Sequence, residues 1–303
     1  MNASHASCLR RAACCAALIS ASSLATGADL TPLAYDGFSN GPSADLGGSA
    51  GGVGWLGAWQ DWGASIITSI GGPESGLSAP GLSVEPGAAI TPGGWLPDMT
   101  EYGRQYPPIG GNVMYVSCLM RPEADMTNWQ MLRFGGWPRQ VDLGIPIGYY
   151  HYGLMIGDGL FAISNVPAIV GRTVLLVLKI EHSFAANRTI YSLYVDPPVR
   201  APEPEFPSAS FARAGIMPFG NWVEMRGEGG YSLDELRIGE TWAGVTPVAC
   251  APDFDRDGFV TGLDFDSYVQ AFEGGEVSAD FDRDGFVTGI DFDEYVEAFQ
   301  AGC

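Results

Sequence analysis

Thr173-Val174-Leu175-Leu176-Val177-Leu178-Lys179-Ile180 and Thr189-Ile190-Tyr191-Ser192-Leu193-Tyr194-Val195 flank the segment Ala185-Ala186-Asn187-Arg188. The first run is apolar at odd and even positions alike, the pattern of a strand covered on both faces. The second is rich in β-branched and aromatic residues, and the segment between is short and suited to a turn. Together they predict a hairpin deep in a sheet. Strand-like runs recur outward from it at 113–120, 129–134, 147–156, 160–165, 222–225 and 233–238, punctuated by Gly and Pro. Long amphipathic helices are missing between 29 and 246, and Lys occurs once, as Lys179. Many short strands between such breaks predict an all-β sandwich with a real core.

Candidate sites inside this domain are sparse. Glu224, Glu228, Asp234, Glu235 and Glu240 cluster in sequence. They do not form the Glu-x-Asp-x-(x)-Glu run of laminarinase-type hydrolases, which a retaining carboxylate pair on one strand would need. They are expected at sandwich edges and turns. His151 and His182 have no Ser or Cys in a nucleophile motif beside them, and the Gly-rich stretch 47–54 lacks the Lys-Ser/Thr of a phosphate loop. All eight tryptophans lie here: Trp55, Trp59, Trp62, Trp95, Trp129, Trp137, Trp222 and Trp242. Tyr149-Tyr150-His151-Tyr152 is expected to put rings on both faces of one strand. Most rings are expected in the core, and a few could form a platform for sugar faces. A net charge of −20 argues against nucleic acid as a partner.

Three stretches carry a family likeness. Tyr35-Asp36-Gly37-Phe38 with Gly54-Trp55-Leu56-Gly57-Ala58-Trp59, the hairpin above, and Leu233-Asp234-Glu235-Leu236-Arg237-Ile238-Gly239 before Thr241-Trp242 resemble a concanavalin A-like or laminin-G-like jelly roll. That resemblance implies a jelly-roll β-sandwich over 29–246. The fold hosts lectins, hydrolases and spacers alike, so it names no function.

The last fifty residues differ in kind. Asp253-Phe254-Asp255-Arg256-Asp257-Gly258-Phe259-Val260-Thr261-Gly262-Leu263-Asp264 is followed, 27 residues on, by the near-copy DFDRDGFVTGID from Asp280 to Asp291. Between 253–275 and 280–302, 18 of 23 positions match, which makes this an internal repeat. Oxygen side chains stand at loop positions one, three, five, nine and twelve, with Gly258 and Gly285 at six, the spacing that wraps a hard cation. Each loop runs into a predicted helix. Phe265, Tyr268, Val269 and Phe272 make one apolar stripe, repeated by Phe292, Tyr295, Val296 and Phe299. Pro247 and Pro252 oppose a helix before the first loop.

A loop-then-helix unit used twice, with Asp at the twelfth position, resembles the dockerin family over Cys250 to Cys303. The terminal Gly302-Cys303 resembles a bacterial dockerin variant. The resemblance implies a small α-helical module, 253–303 after a linker at 247–252, that binds two calcium ions and docks on a cohesin-like or cell-surface receptor. The implied metal ligands are Asp253, Asp255, Asp257, Phe259 (backbone carbonyl), Thr261 and Asp264, with Asp280, Asp282, Asp284, Phe286 (carbonyl), Thr288 and Asp291. The implied receptor contacts are Leu263, Tyr268, Ile290 and Tyr295.

Residues 250–303 hold ten Asp, four Glu and two Arg, so −12 of the chain's charge lies there. Without a cation those carboxylates repel, and metal binding is expected to be coupled to folding. At the other end Arg10 and Arg11 precede the apolar stretch 12–25 and small residues, which reads as a signal peptide over 1–28. The mature chain is then expected outside the cell or on its surface, with no membrane span. Of six cysteines, Cys8, Cys14 and Cys15 would leave with the signal. Cys118 is expected as a buried thiol. Cys250 and Cys303 bracket the module and are expected to form a disulfide, the alternative being Cys303 as a free attachment point. The function expected is a calcium-binding tail tethering a sandwich with polysaccharide as its candidate ligand. The rivals are a hydrolase with a non-standard carboxylate pair and a ligand-free surface protein.

Overall fold

The computed structural model describes residues 31–63, 66–91, 100–123, 129–135, 140–157, 159–199, 202–247, 250, 252–254, 260–281 and 286–302. The segment expected as signal peptide, Trp95, Trp137, Asp255, Asp257, Phe259, Asp282, Asp284 and Cys303 lie outside them.

The described strands are, in chain order, β1 (Ala34–Asp36), β2 (Gln60–Asp61), β3 (Ser69–Ile70), β4 (Ala89–Thr91), β5 (Thr100–Gln105), β6 (Val113–Pro122), β7 (Gln130–Phe134) and β8 (Val141–Ile145). They continue as β9 (His151–Ile156), β10 (Leu160–Pro167), β11 (Val174–Ser183), β12 (Arg188–Val195), β13 (Ala209–Ala214), β14 (Trp222–Gly227) and β15 (Tyr231–Gly239). They build two antiparallel sheets. Sheet A runs β13-β12-β11-β6-β15-β4-β3 with β1 on β15, and sheet B runs β10-β9-β8-β7-β14-β5-β2. The molecule is thus mainly β, a two-sheet sandwich with a few C-terminal helices.

The predicted hairpin is β11–β12. Its register closes at Ser183↔Arg188, and Asn187 takes a left-handed φ of 45° to turn the chain. β11 lies between β12 and β6 and is covered on both faces. Leu176, Leu178 and Ile180 point into the core between the sheets, where Val116, Cys118, Leu132, Phe134, Leu143, Leu154 and Val223 meet them. Leu175 and Val177 point the other way, into a second apolar cluster with Leu77, Leu82, Ala88, Leu119 and Val245. Cys118 is a free, fully buried thiol, and burial pushes its pKa up.

That second cluster seals the outer face of sheet A. The chain around 77–88 lies over β15 and is pinned by its backbone. Asp234 accepts from Leu77 N at 2.8 Å, Glu235 accepts from Glu85 N at 2.5 Å, and Arg237 donates to Ser83 O at 2.7 Å. Arg237 also pairs with Glu235. Asp234 and Glu235 are fully buried, so the expectation of edge or turn carboxylates is corrected for both. They sit where β15 shifts register between Asp234 and Arg237, and Glu235 has a φ of 55°. The irregularity turns two acidic side chains toward the covering chain. Burial, then the neighbouring Glu235 charge, pushes the Asp234 pKa up to about 9.

A second buried ion pair explains the opening motif. Asp36 accepts from Trp59 Nε1 at 2.9 Å, from Phe38 N at 3.0 Å and from Arg104 at 2.5 Å. Removing one partner of such a pair leaves a buried charge uncompensated.

One strand boundary is corrected. The run 147–156 was expected as strand throughout, but β9 begins at His151, because Pro146 and Gly148 turn the chain and Tyr149 N bonds Pro146 O. Tyr149 and Tyr150 are exposed on that turn, whereas Tyr152 is in the core, so the four residues do not decorate two faces of one strand.

After β15 come α1 (Trp242–Val245), α2 (Gly262–Gly274) and α3 (Gly289–Ala301). No described helix is long and apolar enough to cross a membrane.

Candidate functional site

The outer face of sheet B is polar where that of sheet A is sealed. Its geometry follows from register. Phe161 on β10 faces Met155 on β9, and Met155 faces Asp142 on β8. Asp142 faces Arg133 on β7, Arg133 faces Glu224 on β14, and Glu224 faces Gly103 on β5. Directly opposed residues of antiparallel strands share a face. Their neighbours Leu154, Leu143, Leu132 and Val223 are in the core, so this row points outward. A parallel row carries Glu101 opposite Arg226.

At the centre, Arg133 grips Asp142 with two hydrogen bonds of 2.7 and 3.0 Å. Burial disfavours the Arg133 charge, but the bonds and charge of Asp142 outweigh it and raise its pKa. Arg133 Nη1 also stands 3.6 Å from Glu224 Oε2, an ion pair beyond hydrogen-bond reach. Glu224 Oε2 is buried and accepts no hydrogen bond. Burial raises the Glu224 pKa against the pull of Arg133, and Glu101 and Asp142 add to it. Arg226 Nη1 lies 3.8 Å from Glu101, while Arg226 Nε makes no hydrogen bond and its guanidinium stands 5.9 Å over the Trp129 ring. Polar atoms buried without partners are uncommon and cost stability.

Aromatic rings flank this charged centre. Trp62 lies over Gly103, where an added Cβ would stand 2.5 Å from its ring. Its centroid is 5.1 Å from Trp222, at 52°. At the other end Tyr149 and Phe161 are 5.2 Å apart. Trp62, Tyr149 and Phe161 are among the exposed large side chains. Of the other described tryptophans, Trp59 is buried and Trp55, Trp129 and Trp242 are half-buried.

Of the carboxylates that cluster in the sequence, only Glu224 lies on this row. It sits on β14, inside sheet B, so the edge or turn expectation is corrected for it too. Glu240 is in a turn and accepts from Gly110 N and Gly111 N. Glu101 and Asp142 belong to the site and stand alone in the sequence. The signal that could have found Asp142 is the alternation Val141-Asp142-Leu143-Gly144-Ile145, with an acid at an outward position.

The C-terminal repeat forms its own small core. Each helix starts with the same reciprocal cap. Thr261 Oγ1 accepts from Leu263 N while Asp264 accepts from Thr261 N, and Thr288, Ile290 and Asp291 repeat the arrangement. Asp264 and Asp291 are fully buried, and Phe281 N donates to Asp291 Oδ1 at 2.7 Å, so the two ends of the second loop meet. Tyr268 and Tyr295 stack at 3.7 Å and 5°. Tyr268 OH donates to Ala279 O and Tyr295 OH to Pro252 O. Both tyrosines are fully buried, which corrects their expected role as receptor contacts: the stripe faces the partner helix. Leu263 and Ile290 are exposed. Cys250 is disulfide-bonded.

The oxygen-only donor set fits a hard cation, and the meeting of Asp291 with the start of its loop fits a wrapped one. Asp253, Thr261, Asp264, Asp280, Phe286, Thr288 and Asp291 are the described residues that would hold it. A cation there would neutralise carboxylates that otherwise repel.

No protein-family model matches the chain, and no curated protein matches it. Among solved structures it is similar to a cellulose-induced protein, Cip1, at 10% identity and TM-score 0.40, covering 62% of this chain and 91% of that one. It is similar to a GH131 β-glucanase catalytic domain from Podospora anserina at 15% identity and TM-score 0.41, covering 71% and 100%. It is also similar to a protein described with endo-acting O-glycanases that human gut microbes use to initiate mucin breakdown, at 10% identity and TM-score 0.42, covering 70% and 100%.

Proposed function

We propose that the outer face of sheet B binds carbohydrate, and that the tail is a calcium-dependent tether for an exported protein. The observation that carries the first part is the Trp62–Trp222 pair, with Trp62 over Gly103, beside the Glu224–Arg133–Asp142 network. Ring faces stack on the apolar faces of sugars, and carboxylates and guanidinium groups bond their hydroxyls. Affinity electrophoresis of the full chain through gels containing soluble polysaccharide tests this. Retardation is expected, with Trp62→Ala and Trp222→Ala each reducing it. Equal mobility with and without every polysaccharide would refute the reading.

A hydrolase is the second reading. It is favoured by Glu224, a half-buried carboxyl with a raised pKa and an unbonded Oε2. In that case reducing ends accumulate with time, and Glu224→Gln stops them.

For the tail, the reading is two calcium ions held by the paired loops and a dockerin-like hold on a cohesin-like or cell-surface receptor, with exposed Leu263 and Ile290 as contacts. It rests on the repeat, the matched caps and the closure at Asp291. Calcium is expected to raise the helical circular dichroism of the full chain and a chelator to reverse it, and Asp264→Ala with Asp291→Ala to remove both responses. An unchanged spectrum in the unsubstituted chain would count against it.

A further inference from the structure

We infer that the ligand of this face is a neutral, extended oligosaccharide about five rings long, lying across the strands from Trp62 and Trp222 to Tyr149 and Phe161. This rests on the carbohydrate reading above and adds length, direction and charge to it.

The direction comes from register. Phe161, Met155, Asp142, Arg133, Glu224 and Gly103 are one row of directly opposed residues on six adjacent strands. One end of that row is covered by Trp62 over Gly103, and the other is Phe161 beside Tyr149. Both ends are therefore aromatic and accessible, and what lies between is not. Met155 and Asp142 are buried, and Arg133 and Glu224 are half-buried. A ligand long enough to use both ends crosses the charged centre, where Glu224 Oε2 lacks a hydrogen-bond donor.

The length comes from strand spacing. Five steps of about 4.8 Å make ~24 Å, and one pyranose of an extended chain advances by about the same distance as one strand, so about five rings fit. The charge comes from a count. Three carboxylates (Glu101, Asp142, Glu224) face two guanidinium groups (Arg133, Arg226), and the whole chain is at −20. Among the described residues the face has no surplus positive charge for uronic acids or sulfated sugars, which favours a neutral ligand.

The test is calorimetric titration of the full chain with ladders of one to eight rings. The ladders are β-1,4-gluco-, β-1,3-gluco-, β-1,4-manno- and β-1,4-xylo-oligosaccharides, with oligogalacturonate as the anionic series. At least one neutral ladder is expected to bind more tightly with each ring and to level off at about five. Phe161→Ala, on an exposed edge-strand position, is expected to weaken the six-ring sugar about tenfold and to leave the two-ring sugar unchanged. A neutral ladder that levels off at one or two rings, or a Phe161→Ala protein that binds six rings as before, overturns the length and direction. Tighter binding of oligogalacturonate overturns the charge. Silence from every series overturns the carbohydrate reading itself, and this inference with it.

Discussion

Both outer faces of the sandwich carry carboxylates, yet they are treated in opposite ways. On sheet A, Asp234 and Glu235 are roofed by the chain around 77–88 and bonded to its backbone, and Leu175 and Val177 fill the space beside them. On sheet B, Glu101, Asp142 and Glu224 are paired with arginines instead. The first arrangement spends its acidic groups on holding a covering segment. The second keeps one buried oxygen unbonded. The same side-chain type therefore holds a covering segment on one face and pairs with arginines of neighbouring strands on the other.

The largest expected effect tests the closed face. Arg237→Ala leaves Glu235 buried with its charge uncompensated and should cost about 3–5 kcal/mol in urea unfolding. A loss under about 1 kcal/mol would mean that the roof is not held there. Next is Leu175→Ala, which opens a cavity in the apolar cluster outside sheet A. It should cost about 2–4 kcal/mol while leaving polysaccharide retardation as it was. A parallel loss of binding would show that the two faces are not independent.

The closed face also has a pH signature. Asp234 is held protonated up to about pH 9, well above its value in an unfolded chain. The folded state then keeps a proton that the unfolded state has lost. The contribution is present in full below the unfolded value and is lost as pH rises from about 4 towards 9. The urea midpoint should fall between pH 5 and pH 8, and Asp234→Asn should flatten that fall. An equal slope in the variant would assign the dependence to other groups.

The smallest expected effect belongs to the open face. Gly103→Ala pushes the Trp62 ring off the sheet by a fraction of its width. Retardation by polysaccharide should weaken several-fold, while the unfolding midpoint changes by less than about 1 kcal/mol. A large stability loss with unchanged binding would make Trp62 a packing residue and erase the contrast between the faces.

These faces were unequally legible. The β11–β12 hairpin could be read because its apolar run and its turn are contiguous. The repeat at 253 and 280 could be read because its spacing is local. Sheet B could not, since Glu101, Asp142 and Glu224 come from three separate stretches and meet only through strand register. Two-residue strands such as β2 and β3 are shorter than any period that marks a strand. Tyr268 and Tyr295 show a different limit. An apolar stripe identifies the side of a helix that is buried but not what buries it, and here each ring is covered by the other.

Those two tyrosines have a consequence for the tail as a unit. Pro252 and Ala279 occupy equivalent places in the two repeats, one residue before each loop. Tyr295 of the second repeat holds Pro252, and Tyr268 of the first holds Ala279. Each half is thus hung from the other half's helix, like two hooks closed through one another. Cutting the segment between the repeats does not yield two smaller modules, because each would lose the anchor for its own beginning.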